Sequence, residues 1–486
     1  MKRFAVRDDG SLFGRASRAM GWSFVNTAVG RFGTLAIGIA LARLLGPKEF
    51  GTFAVAMVAL LAVLSFNELG VSLAIVRWPG EPREIAPTVA TISIVSSCLI
   101  YLGCFLGAPA FAAAMGAPQA TGVIRLLTLN VVLDGVTAVP HALMQRTFRQ
   151  DRKMIADQVN NWGGTIVSIL LAVAGMGAMS LAIGRLAGAT AAGVLFVIYS
   201  PEPLRFGFDA AAARALLKFG IPLAGSSIIV FAVASIDQLV VGNVLGATAL
   251  GFYVLAFNLS NWPVGMFSQP VRSVAPAAFA RLQHDPPQMR RAFLSTAGLL
   301  AGVTLPVCLL LSGAAQPLVR FVYGASWAPA SAALMWLAIL GGFRILFELV
   351  YDYFVVLARS RAVFTVQLVW LVALVPALIV GARLNGVSGV GAAQVLVAAL
   401  VVLPLYLWEL HRAGIAATDL AVRVGPPVLI AAVVGLAAFE IHRLISFDLI
   451  ALGLAGATGL SAVGLLLYRM RGVLQGLRTM GQADAS

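Results

Sequence analysis

The chain has 486 residues, 60% of them hydrophobic and 11% charged, with 34 Lys and Arg against 20 Asp and Glu for a formal charge of +14. Soluble chains carry roughly 25% charged residues, so a water-covered surface cannot be built here and the bilayer must be the solvent. Nucleic acid is excluded as the partner of the positive excess, because Arg and Lys are scattered between apolar runs and form no contiguous patch interleaved with aromatics.

The opening MKRFAVRDDGSLFGR has the charges of a signal peptide, but Asp8 and Asp9 interrupt the apolar core that cleavage requires, so the first span is expected to insert the chain. Apolar runs follow at about 20–42, 52–75, 86–107, 120–143, 156–176, 178–200, 218–241, 248–270, 293–314, 332–357, 362–382, 387–408, 425–440 and 447–468. A helix of roughly 20 residues crosses a hydrocarbon core about 30 Å thick. The runs therefore predict an all-α integral membrane protein of about 14 transmembrane helices. Twenty-five basic residues fall at the termini and in alternate loops, among them Arg146, Arg149, Arg272 and Arg359. The intervening loops hold only Arg43, Lys48, Arg320, Arg383 and Arg443. The positive-inside rule places both termini in the cytoplasm.

An internal repeat links the two halves. LARLLGPKEFGTFAVA at 41–56 and VGNVLGATALGFYVLA at 241–256 align Leu45 with Leu245, Gly46 with Gly246, Gly51 with Gly251 and Ala56 with Ala256, an offset of 200 residues. Each copy ends an outward helix on a Gly suited to a left-handed turn; chance similarity of two tight Gly turns is the alternative. Six spans separate the copies, so both run the same way. That predicts two pseudo-symmetric six-helix bundles about an axis along the membrane normal, with a central cavity, plus two C-terminal helices. The expected division is 1–205 for spans one to six, 206–217 for an amphipathic cytoplasmic linker helix, 218–412 for spans seven to twelve, and 413–486 for spans thirteen, fourteen and a cytoplasmic tail.

Cys98, Cys104 and Cys308 sit in apolar runs without metal or redox spacing and read as packing residues. Prolines at 140, 222, 263, 270, 306, 376 and 404 lie in or at the ends of spans and can kink them. Eight ionisable residues fall inside spans: Arg31, Arg125, Asp134, Arg185, Asp237, Arg344, Glu348 and Asp352. Facing lipid they would together cost on the order of 20 kcal/mol, so they must face protein or water. Arg31, Arg125 and Arg185, converging in one chamber with Arg344 as a second-lobe contribution, would offer forked donors to a pyrophosphate; the alternative pairs each Arg with a buried carboxylate, Asp134 foremost. Arg344, Glu348 and Asp352 share one helical face. They read either as an Arg344–Glu348 intrahelical pair with Asp352 near the inner water boundary, or as acceptors of a coupling cation. Asp134 and Asp237 complete the ion-coupling candidates, Asp237 being as well suited to helix packing or gating.

The 41–56 stretch with ELG at 68–70, QRTFR at 145–149, IDQLVVGNVLGATALGFY at 236–253 and PAAFARLQHD at 276–285 resemble landmarks of the polysaccharide transporter family of oligosaccharide flippases. The resemblance covers most of the first nine spans. It implies a multidrug/oligosaccharidyl-lipid/polysaccharide exporter fold in the bacterial cytoplasmic membrane, with alternating access. The implied activity is translocation of undecaprenyl-pyrophosphate-linked oligosaccharide from the inner to the outer leaflet for surface polysaccharide synthesis. Polysaccharide polymerase and glycosyltransferases are the implied partners. No cofactor is expected, and without a Walker GxxxxGK[ST] motif any energy would come from an H+ or Na+ gradient. The alternatives are a cation-coupled multidrug antiporter of the same fold and a membrane-embedded glycosyltransferase or ligase. The longest outer loop, near 312–331, holds Arg320 but neither Asp, Glu nor His, which disfavours an enzyme.

Overall fold

A computed structural model describes residues 12–67, 75, 81–147, 149–283, 285–445 and 447–469, with the backbone alone for 12–36. The basic residues Lys2, Arg3, Arg7, Arg77, Arg471 and Arg478, the ELG motif at 68–70 and the Arg31 side chain lie outside what is described. Among the described residues every regular element is helical.

Leu12–Asn67 is broken at Gly46 (φ 71°) into α1 (12–45) and α2 (47–67). The first half continues with α3 (Pro82–Ala114), α4 (Pro118–Arg146), α5 (Gln150–Val173) and α6 (Ala178–Tyr199). The second half holds α7 (Ala210–Leu245), α8 (247–281), α9 (Pro286–Gly313), the short α10 (Ala315–Tyr323) and α11 (Ala330–Val356). Ser360–Val397 is broken at Asn385 and Gly386, giving α12 (360–384) and α13 (387–412). The chain closes with α14 (Ala417–Leu444) and α15 (Asp448–Arg469). Setting α10 aside, these rods coincide one for one with the fourteen expected spans. Long α-helices and no strand are what lipid demands, since each backbone N–H and C=O must be satisfied within its own segment.

Three boundaries differ from expectation. The linker helix over 206–217 is not a separate element: Phe206 to Asp209 is non-helical, and helix starts at Ala210 and runs unbroken to Leu245. Asp209 caps it by accepting from the Ala211 N–H at 2.9 Å, as short acidic side chains do at helix starts. Ala212 and Leu216 then pack on Ile85, Val89, Val139 and Leu143 of the first bundle. Secondly, α8 does not stop near Pro270 but runs on to Arg281, so Arg272 is helical rather than in a loop. Thirdly, the 312–331 connection is folded, with α10 and a 3-10 turn at Ala325–Trp327.

The two repeat copies touch one another. Gly46 and Gly246 take φ of 71° and 83°, a conformation open to Gly at no steric cost. Beyond them, a Cβ on Gly51 would stand 2.1 Å from the Ala247 carbonyl oxygen, and one on Gly251 2.9 Å from the Gly51 Cα. A residue can meet its own symmetry mate only beside the axis relating them. The pseudo-twofold axis therefore passes between Gly51 and Gly251.

Reciprocal hydrogen bonds flank that axis. Arg43 Nε donates to the Val322 carbonyl at 2.6 Å, and Asn243 Nδ2 donates to the Ala114 carbonyl at 2.8 Å. Arg43 and Asn243 occupy equivalent places in the repeat. Their acceptors each lie two residues before a left-handed glycine, Gly116 and Gly324. Trp327, fully buried, adds a bond from its indole N–H to the Ala42 carbonyl at 3.1 Å and edge contacts with Phe50 and Phe252. This end of the molecule is closed by contacts between the bundles. The last two rods lie outside them, with α14 against α9 so tightly that a Cβ on Gly313 would stand 2.1 Å from the Gly435 carbonyl oxygen.

Candidate functional site

In the first bundle, α4 carries Asn130, Asp134, Thr137 and His141 at spacings of four, three and four residues, which puts them on one helical face. Across from that face stands α6. Arg185 is the charged neighbour of Asp134, yet the two close no direct ion pair, and both keep exposed surface although protein surrounds them. Further along the same interface the His141 ring meets Phe196 edge-on at 5.5 Å, with Lys153 and Asp157 of α5 as its charged neighbours. Arg185 is thus a charged neighbour of Asp134 and not a bonded partner.

Arg125 behaves otherwise. Its Nε donates to the Phe105 carbonyl at 3.1 Å, and its guanidinium lies 4.1 Å from the Phe105 ring centroid, a cation–π contact. The structure ties it to α3 and not to the Asp134–Arg185 pair. The expected convergence of Arg31, Arg125 and Arg185 is therefore not seen for Arg125, and for Arg31 the side chain is outside the described residues.

The second bundle holds a continuous polar column between α8 and α11, which run side by side in the same direction. Near the closed end Tyr253 donates its hydroxyl to Asp237 at 2.6 Å and accepts from Gln394 Nε2 at 2.5 Å. The other Asp237 oxygen accepts from the Gln238 N–H at 2.8 Å. Asp237 and Tyr253 are both buried, so their groups must be satisfied internally. One step along, Arg344 donates to Asn261 Oδ1 at 2.8 Å and lies 5.6 Å from the Phe257 ring centroid. Glu348 then accepts from the Ser268 hydroxyl. Last, Arg272 forks onto Asp352, Nε to Oδ2 at 3.1 Å and Nη2 to Oδ1 at 3.4 Å, with its Nη1 3.8 Å from Glu348.

The intrahelical Arg344–Glu348 pair is thus corrected: both side chains reach across to α8. Their shared face does align them, but with Asn261 and Ser268 instead of with each other. Between those two partners α8 makes a π-turn at Val264–Ser268, just after Pro263, which has no N–H to give. Single π-turns inside helices occur disproportionately at functional sites. Tyr253, Asn261, Ser268 and Gln394 carry no charge to single them out, and Arg272, expected in a loop after a span ending at 270, lies on α8.

Comparison with known proteins follows the same lines. A model of the family described as "Polysaccharide biosynthesis protein" matches residues 40–332. The chain belongs to that family. Among curated relatives, the succinoglycan biosynthesis transport protein ExoT of Rhizobium meliloti is 27% identical over 334 residues, 67% of this chain and 66% of the relative. The lipopolysaccharide biosynthesis protein WzxC of Escherichia coli is 22% identical over 380 residues, 76% of this chain and 75% of the relative. The chain thus spans about two thirds to three quarters of the length of these family members. Of solved structures, the lipid II flippase MurJ in an inward closed conformation superposes with a TM-score of 0.71 at 14% identity, over 93% of this chain and all of that one. An inward-facing multidrug transporter of the MATE family gives 0.58 at 16% identity over 78% of this chain and 94% of that one. At such identities these two establish the fold alone, a multi-pass transporter fold, and the matched family region ends inside α11.

Proposed function

We propose that the protein is a flippase that carries polyprenyl-pyrophosphate-linked oligosaccharide from the cytoplasmic to the outer leaflet of the bacterial cytoplasmic membrane by alternating access. One observation carries the reading: the bundles meet around a pseudo-twofold axis at the Gly51–Gly251 end, while Asp134 and Arg185 stand on facing helices of the first bundle, exposed and without a direct ion pair. The loop charges orient the closed end outward, so cargo enters from the cytoplasm. Family membership and the names of the relatives support a cargo of surface-polysaccharide biosynthesis, with polymerase and glycosyltransferases as the neighbouring machinery.

In this reading Arg185, with Arg31, supplies the forked donors for the diphosphate, which a compact ammonium cannot match. Asp134 is the charged neighbour of Arg185 across the α4–α6 interface. Of the four carboxylates that are candidates for H+ or Na+ coupling, Asp134 is the solvent-exposed one, whereas Asp237 and Asp352 are buried against partners and Glu348 accepts from Ser268. A cation-coupled multidrug antiporter on the same fold would need carboxylates left free for its cation, and three of the four are engaged. In cells, Arg185→Ala should abolish surface polysaccharide and trap lipid-linked sugar on the cytoplasmic face with the protein still inserted. Normal surface polysaccharide in that variant would remove the site assignment.

A further inference from the structure

The cytoplasmic end of the α8–α11 column is built differently from the rest of it. At every other level the polar groups are buried or half-buried. Arg272, though ion-paired, keeps 41% of its side chain exposed, against 9% for Asp352 and 26% for Glu348. Its guanidinium spends Nε and Nη2 on Asp352. Its Nη1 is 3.8 Å from Glu348, too far for a hydrogen bond, and Glu348 is already taken up by Ser268. The edge of the fork not used by Asp352 is therefore available to an incoming anion, and a planar fork of this kind binds phosphate oxygens in pairs.

We infer that Arg272 is a diphosphate-contacting residue of the second bundle, with Asp352 and Glu348 acting as built-in competitors that keep its hold on the anion weak enough for release. The inference rests on the flippase reading and deepens it by adding a ligand from α8 and a device that sets affinity. A translocator must bind its cargo well enough to load and poorly enough to unload. Asp352, which accepts from Nε and Nη2, and Glu348, 3.8 Å from Nη1, offer acceptors on α11 that take Arg272 back as the cargo leaves. Arg344, one level further in, is half-buried, with Nη1 donated to Asn261 Oδ1 and Phe257 beside it. Tyr351 is a further neighbour of Arg272.

The test is equilibrium binding of inorganic pyrophosphate and of undecaprenyl pyrophosphate to the purified full chain. Asp352→Asn and Glu348→Gln, which release Arg272, should bind both probes more tightly than the wild type. Arg272→Gln should bind more weakly by about tenfold or more, the value of a charge-assisted contact to phosphate. Because Arg272→Gln leaves Asp352 unpaired and can fail to fold, the neutral triple variant Arg272→Gln/Glu348→Gln/Asp352→Asn is measured beside it and should be equally weak. Wild-type affinity in the triple variant, or unchanged affinity in Asp352→Asn and Glu348→Gln, would overturn the inference. Translocation of lipid-linked oligosaccharide by the wild type in vesicles is scored separately: if it proceeds while the variants bind alike, the flippase reading stands and the role of Arg272 falls.

Discussion

The two bundles share a fold and an orientation but treat their intramembrane charges in opposite ways. In the first, Asp134 and Arg185 are charged neighbours without closing an ion pair and keep exposed surface. In the second, Asp237, Arg344, Glu348 and Asp352 each have a partner on a neighbouring helix or in the chain beside them. Charges that are fully paired add packing and register between helices, while charges left reachable cost stability and are retained where a ligand completes them. Under the proposed function the contrast makes the first bundle the place of cargo capture and the second the rigid one, with Arg272 as the exposed exception.

Substitutions sharpen this contrast, ordered by the stability each should cost. Arg272→Ala leaves Asp352 as an uncompensated buried charge, so thermal unfolding in detergent should show a loss of about 3–5 kcal/mol; Asp352→Asn in the same chain should recover most of it. Gly251→Leu forces a side chain into the backbone of α2 at the axis, an overpacking of about 1–3 kcal/mol. It should also prop the closed end apart, so that a cysteine placed at Trp327 becomes reactive to a membrane-impermeant thiol reagent added from outside. Protection equal to that of the unpropped chain would mean the Gly51–Gly251 contact does not hold this end shut. Tyr253→Phe removes the hydroxyl that bridges Asp237 and Gln394, at roughly 1–3 kcal/mol for groups left unsatisfied. Arg185→Ala should change unfolding least, within about 1 kcal/mol, as expected of a charge with no direct partner, and yet remove transport. If Arg185→Ala destabilised more than Tyr253→Phe, the division between an available first-bundle charge and spent second-bundle charges would be wrong.

How far the sequence reaches differs between features for physical reasons. Spans of apolar residues and the left-handed glycines at 46 and 246 are local properties, and the structure has both where the pattern puts them. The repeat at an offset of 200 predicted two like-oriented halves, and the contact between Gly51 and Gly251 is its direct expression. The polar column was out of reach because it depends on pairing between helices. Arg344 and Glu348 are four apart on one face, an arrangement that permits an intrahelical pair but equally presents both to a third helix. The apolar run ends near 270; a π-turn after Pro263 and continued helix to Arg281 carry Arg272 up to Asp352. Neutral residues such as Asn261 and Gln394 carry no charge to flag them, although in lipid an amide needs partners as well. Arg125 shows the converse: its position in a span looked like a ligand, and a single aromatic neighbour occupies it.

The account stands on a diphosphate-bearing lipid being moved past Arg185 through a structure closed at the Gly51–Gly251 end. Its most direct test is leaflet-to-leaflet transfer of fluorescent undecaprenyl-pyrophosphate oligosaccharide in vesicles that contain the purified chain. Transfer should require the protein, be lost in Arg185→Ala with unfolding temperature unchanged, and be absent for the same oligosaccharide on a neutral lipid. Equal transfer by the wild type and Arg185→Ala, or no preference for the diphosphate, would contradict it.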